Sequence, residues 1–237
     1  LSGQRTVRNP ALMSASQLAL RLALPDSATL ANFHMGDNGA LLHALKSDEP
    51  FIYLWGNPGA GKSHLLQAAC HAAADAGDCP AYLPLRDLIA TDPEVFEGLE
   101  AAGLVCLDDV DAIAGRQAWE QALFHLYNRV RDAGGRMLAT GPAAPAGLDI
   151  RLPDLVSRLS WGPVFQLHAL DDEGKMAALR ARARARGLEL SEDVAAYLMR
   201  RFARDPHSLF ALLDRIDAAS LVAKRRITIP FLRELLG

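Results

Sequence analysis

The rhythm of apolar and polar positions along the 237 residues changes near residue 170. Before that point, short apolar runs alternate with stretches of helical spacing. Phe51–Trp55 runs straight into glycine, the pattern of a strand buried on both faces. In 63–76, Leu65, Leu66, Ala69, Cys70 and Ala73 recur at helical spacing, and Gly77 supplies a stop. Residues 81–85 read as a second strand, and 93–102, with proline in its first turn, as a helix. A third strand over 104–107 delivers Asp108 and Asp109. A helix over 119–133 closes at Gly134 and Gly135, and strands follow at 136–140 and 164–167.

Strands that alternate with helices imply an α/β domain with a parallel sheet covered on both faces. After Leu170 the strands stop. Helices are expected over 172–186, 192–203, 206–223 and 230–236, punctuated by Gly187, Ser191, Pro206 and Pro230. These form a small all-helical domain, with the boundary near 169–171. Near the start, Leu18, Leu20, Leu22 and Leu24 alternate at period 2 up to Pro25. That pattern fits an extended strand, a tethered edge or an extended docking peptide. Residues 1–13 read as a leader outside the fold, with Met13 ahead of Ser14 as a candidate start. The expected organisation is therefore leader 1–13, N-terminal segment 14–30, α/β domain 31–170 and helical domain 171–237.

Composition narrows the function classes. Net charge is −3, so bulk electrostatics do not mark a polyanion binder. Residues 171–237 carry 13 Lys and Arg against 10 Asp and Glu. That bias permits a nucleic-acid contact and fits solvated helix faces equally well. Three cysteines, Cys70, Cys79 and Cys106, have no metal-ligand spacing, which fits a reduced, cytoplasmic chain. No apolar run approaches the ~18 residues of a membrane span.

The chemistry concentrates in two places. Gly56, Asn57, Pro58, Gly59, Ala60, Gly61, Lys62 and Ser63 form a complete phosphate-loop pattern between a strand and a helix. Glycines let backbone N–H groups close around phosphates, and the helix N-terminus adds partial positive charge. Lys62 suits the outer phosphates and Ser63 suits Mg²⁺. Asp108 and Asp109 stand at the C-terminal end of a buried strand, the edge where open parallel sheets bind ligands. Asp108 would hold Mg²⁺ through water, and Asp109 would polarise an attacking water. Arg158, ahead of an apolar stretch, reads on its own as a surface cation or as an arginine finger for a neighbour's site.

The combination resembles the DnaA family of AAA+ proteins, and within it the Hda-type regulatory inactivators. Beyond the phosphate loop and Asp108–Asp109, the residues that carry the resemblance are Gln17 to Asp26, Asn32 to Asn38, Leu126 to Arg129, Leu152 to Trp161, Leu209 with Phe210, and Ile227 to Phe231. The resemblance covers residues 16–237. It implies an AAA+ P-loop sheet followed by a helical lid. It also implies an adenine nucleotide, ADP or ATP with Mg²⁺, held by the loop through His64, with Phe33 in the segment lying against the base. Arg158 becomes a finger acting in trans. Gln17, Leu18 and Leu20 become a peptide that binds the DNA polymerase III sliding clamp.

Together with DNA-loaded clamp, such proteins stimulate hydrolysis of ATP held by DnaA and so prevent over-initiation of replication. DNA is reached mainly through the clamp, and self-association is left open. Three positions depart from the family pattern. His207 stands where the initiator has its second-sensor Arg, Pro142 where it has its first-sensor Asp, and Arg21 where clamp peptides often carry an apolar residue. With Thr140 as a partial substitute for the missing Asp, the first two imply weak or no ATP turnover by this chain. A DnaA-like initiator and a helicase-loader-like ATPase are the alternatives. The initiator would need a helix-turn-helix domain beyond the lid.

Overall fold

The computed structural model describes residues 29–30, 33, 38–47, 49–185, 187–202, 212–213, 215–217, 219 and 227–236. The expected leader, the extended segment 17–24 and most of the helix expected over 206–223 lie outside them.

Five parallel strands form one sheet in the order β2-β3-β4-β1-β5. They are β1 (Phe51–Trp55), β2 (Pro80–Pro84), β3 (Leu104–Asp108), β4 (Arg136–Gly141) and β5 (Val164–Gln166). Helix α1 (Gly39–Lys46) precedes β1, and α2 (Lys62–Asp75), α3 (Leu85–Leu88), α4 (Gln117–Asp132) and α5 (Pro153–Leu159) lie between the strands. The period-2 side-chain alternation of each strand explains why the sheet is buried on both sides. Phe51 and Tyr53 of β1, Val105 and Leu107 of β3, and Met137 and Ala139 of β4 enter one core with Leu123, Leu126 and Val130 of α4. Their neighbours Ile52, Leu54, Cys106 and Leu138 enter the opposite core with Leu41 of α1 and Leu65 and Leu66 of α2. Leu65 and Leu66 have no exposed surface, and each such side chain contributes about 1.5–3 kcal/mol of burial.

After β5 the chain is helical: α6 (Asp172–Ala185), α7 (Glu192–Phe202) and α8 (Ile229–Leu236). Leu179, Leu198 and Leu232 from these helices meet Leu212, Leu213 and Ile216 in a separate core. A parallel sheet followed by a small helical domain is the arrangement that the sequence predicts.

One expected helix is replaced. Over 93–102 the chain makes two 3₁₀ turns, Pro93–Phe96 and Leu99–Ala101. Gly98 separates them at φ 77°, a left-handed conformation that an α-helix does not tolerate. The break lets Phe96 and Leu99 both reach the core. Helices α1, α3 and α5, by contrast, were not predicted; each has eight residues or fewer, too short to show periodicity.

Candidate functional site

The phosphate loop leaves the C-terminal end of β1 in the middle of the sheet. Gly56 donates its N–H to the Gly141 carbonyl at the end of β4. A side chain at Gly56 would overlap the Leu167 carbonyl, so the loop departs through a gap only glycine fits. Gly59 and Gly61 take φ values of 79° and 96°. Gly61 is the N-cap of α2, and no side chain caps that helix. The N–H groups of its first turn therefore face the loop without a side-chain acceptor, the arrangement an anion satisfies. The Lys62 ammonium donates to the carbonyls of Gly56 at 2.7 Å and Asn57 at 3.2 Å, which holds it at the loop. Asn57, Pro58 and Ser63 are exposed, while Ala60 is buried against the α2 core.

Phe33 packs on this loop. Its ring stands 6.0 Å from that of His64, and a Cβ at Gly61 would come within 3.1 Å of its edge. His64 faces Thr29, whose carbonyl lies 3.3 Å from Nε2. Burial lowers the His64 pKa from its ordinary value; Arg182 of the lid helix α6 lowers it further, and the Thr29 carbonyl opposes both. Buried Asn38, at the start of α1, accepts from the His168 N–H at 3.2 Å. That bond closes the edge of the site where β5 leads into the lid. Gln17, Leu18, Leu20 and His207, together with Asn32 and residues 34–37, lie outside the described residues.

The acidic pair is anchored by hydroxyls. Asp108 is 4% exposed. Its Oδ1 accepts from the Thr140 hydroxyl at 2.5 Å, and its Oδ2 from the Tyr82 hydroxyl at 2.7 Å. Tyr82 accepts in turn from the Gln67 amide at 3.3 Å. Burial raises the Tyr82 pKa well above its ordinary range, and the adjacent Asp108 adds to that, so the phenol stays a donor. Asp109 is the only non-glycine at positive φ among the described residues, at 58°. It donates its N–H to Thr140 Oγ1 at 3.1 Å. The Asp109 carboxylate pairs with Arg86 at 3.0 Å, and Arg86 also reaches Asp111 at 3.0 Å. Pro142, at the expected first-sensor position, is exposed and has no side-chain polar atom.

Arg158 is elsewhere. It sits near the end of α5 and, with Leu159, lines a small cleft with Phe51, Tyr53, Tyr127 and Met137. Its guanidinium lies 5.0 Å from the Trp161 ring centroid and 5.9 Å from that of Phe124. The cleft runs along Phe51 to Tyr53, the first three residues of β1, whereas the phosphate loop starts past Trp55. At about 3.3 Å per residue, the strand puts roughly 10–16 Å between them.

Sequence reasoning missed Tyr82, Arg86 and buried Glu120. Tyr82 had a detectable signal, a polar tip inside an apolar strand two residues before its end. Arg86 and Glu120 had none: Arg86 meets Asp109 and Asp111, and Glu120 meets Arg151 and Leu152, all more than 20 positions away. Among the described residues no cluster of His, Cys, Asp and Glu could hold a metal by itself, and no helix is long and apolar enough to cross a membrane.

Comparison with known proteins agrees with this architecture. Residues 172–236 match the family model described as the Hda lid domain. Domain III of the replication initiation protein DnaA from Thermotoga maritima superposes with a TM-score of 0.74 at 21% identity, covering 90% of this chain and 97% of that one. AMPPCP-bound DnaA from Aquifex aeolicus gives a TM-score of 0.65 at 24% identity, covering 81% of this chain. The chain spans 65% of the length of that Aquifex protein. The Thermotoga maritima RuvB Holliday junction branch migration motor has the same fold at greater distance, with 15% identity and a TM-score of 0.56. It covers 79% of this chain and 61% of its own.

Proposed function

We propose that this Hda-like, DnaA-related AAA+ protein is a nucleotide-bound regulator that stimulates hydrolysis of ATP held by DnaA and so prevents over-initiation of replication. The observation that carries the reading is the separation of Arg158 from the chain's own phosphate loop. Roughly 10–16 Å of strand separates its cleft from Gly56–Ser63, which places the guanidinium away from a nucleotide bound there. It is nevertheless pre-positioned over two rings, as a group meant for another subunit's site would be. An arginine supplied in trans neutralises charge that develops on the transferred phosphoryl group.

The chain's own site fits an adenine nucleotide with Mg²⁺, ADP or ATP. Asn57 to His64 would cradle the phosphates, and Phe33 would flank the base. Ser63 and Asp108 would hold the metal, which neutralises phosphate charge when bound. Asp109, tied to Arg86, and Pro142 leave this site poorly equipped to orient water, so intrinsic turnover is weak. His207 falls under the same reading, as a weaker hold on an outer phosphate than Arg. AMPPCP in the Aquifex protein supports adenine nucleotide as the ligand class. Gln17, Leu18 and Leu20 would dock the chain on the DNA polymerase III sliding clamp in the cytoplasm, with DNA contacted mainly through the clamp.

The deciding experiment measures DnaA ATP hydrolysis with clamp-loaded DNA and either wild-type chain or Arg158→Ala. The variant is expected to bind nucleotide and clamp normally and to leave hydrolysis at its unstimulated rate. Stimulation equal to wild type would remove the finger assignment. A Gln17→Ala, Leu18→Ala double variant that still binds clamp would remove the docking assignment. A self-sufficient ATPase of the helicase-loader type is the second reading, favoured by the fully anchored Asp108. Substantial ATP turnover by the chain alone would select it.

A further inference from the structure

Glu120 is 1% exposed, and no Lys or Arg forms an ion pair with it among the described residues. A buried, unpaired carboxylate is retained only if other donors satisfy it. Here they are all backbone groups. Oε1 accepts from the N–H of Gly115 at 2.7 Å and of Arg151 at 3.1 Å. Oε2 accepts from Arg151 at 3.1 Å and from Leu152 at 2.9 Å.

These donors come from two functional segments. Gly115 lies two residues past the turn Val110–Ile113 that directly follows the acidic pair. Arg151 and Leu152 close the loop from β4, and Leu152 is the N-cap of α5, where no side chain of its own caps the helix. Six residues further on, the same helix carries Arg158. One side chain thus ties the turn beside the nucleotide site to the start of the helix that bears the trans-acting cation.

We propose that Glu120 is a positioning residue for Arg158, fixing α5 so that the guanidinium is presented at one place to the partner's nucleotide. The proposal rests on the trans-acting reading of Arg158. Misplacing a catalytic group by about 1 Å can cost on the order of a hundredfold in rate. Glu120→Gln keeps the side chain's size and one acceptor oxygen. It replaces the other oxygen with an NH₂ group facing backbone N–H donors, so part of the tether is lost.

The test uses the full chain with clamp-loaded DNA and ATP-bound DnaA, comparing wild type, Glu120→Gln, Arg158→Ala and the double variant. Maximal stimulated hydrolysis by Glu120→Gln is expected to fall about tenfold or more, with the concentration for half-maximal stimulation unchanged. The double variant is expected to be no worse than Arg158→Ala alone, because a residue that acts through Arg158 has nothing left to act on.

Wild-type maximal stimulation by Glu120→Gln overturns the proposal. So does a loss confined to the half-maximal concentration, or an additive loss in the double variant. If thermal melting shows Glu120→Gln to be unfolded, Arg151→Pro takes its place. It deletes the N–H bonded to both oxygens and leaves the carboxylate in position, and the same outcomes apply. If Arg158→Ala itself stimulates like wild type, the trans-acting reading fails first and this proposal falls with it.

Discussion

Thr140→Val isolates one hydroxyl at the centre of the candidate site. Thr140 has no exposed surface, and valine keeps its branching. The change removes the donor to Asp108 Oδ1 and the acceptor for the Asp109 N–H. A hydrogen bond to a charged group contributes about 1.5–3 kcal/mol, and an orphaned buried donor costs about 1–3 kcal/mol. Tyr82 still holds the other Asp108 oxygen and softens the loss, so about 3 kcal/mol is expected in all. That is a large share of a total stability of about 5–15 kcal/mol. For a chain of this size it lowers the melting temperature by about 6–12 °C. Thr140→Ser keeps the hydroxyl and loses one methyl, for about 1 kcal/mol. Melting followed by circular dichroism decides: equal melting temperatures for the valine and serine variants would show that the hydroxyl does not carry the stability assigned to it.

Two further perturbations test the frame around the site. His64 has a folded pKa lowered from its ordinary 6.5 by burial and by Arg182. The unfolded chain therefore binds more protons than the native one once pH falls through about 6.5. Stability is expected to drop as pH is lowered through that window, and His64→Gln should flatten the urea-midpoint profile there; an unchanged profile would contradict the assignment. Gly162 turns the chain between α5 and β5, and any Cβ there would overlap the Phe51 carbonyl. Gly162→Ala should cost about 1–3 kcal/mol through forced backbone displacement, read as a lower urea midpoint at unchanged slope.

The fold was legible wherever chemistry and periodicity coincided. Phe51–Trp55 followed by glycines reads as a buried strand, and the five strand segments follow their apolar runs to within a residue or two. Segment 93–102 misled because its apolar spacing suits a helix while Gly98 in mid-run breaks it. The local groupings of the candidate site, Gly56 to His64 and Asp108 with Asp109, stand out in the sequence. The site was not legible where partners lie far apart in sequence. Tyr82 and Thr140 reach Asp108 only because β2, β3 and β4 are adjacent, and Glu120 meets Arg151 across 31 positions. Tertiary packing creates these contacts, and no spacing rule in one sequence encodes it.

Trp161 poses the last question, since a tryptophan left 59% exposed needs a reason. Its ring lies 5.0 Å from the Arg158 guanidinium and 5.6 Å from that of Arg131, and it stacks on Tyr127 with centroids 6.4 Å apart. Tyr127 stacks on Phe51 at 4.1 Å, so the ring is braced from the core outward. An arginine side chain that is free in solution must be ordered when it enters a partner's site; one already resting on an aromatic face loses less freedom at that moment. Exposed cation–π contacts contribute about 0.5–1 kcal/mol, which converts to roughly two- to fivefold in rate. Under the proposed function, Trp161→Ala should therefore reduce stimulated DnaA hydrolysis by that factor. With 59% of the residue exposed, the melting temperature should fall less than for a fully buried tryptophan. A variant that melts much lower yet stimulates normally would make Trp161 a packing residue, and the exposed ring would owe nothing to Arg158.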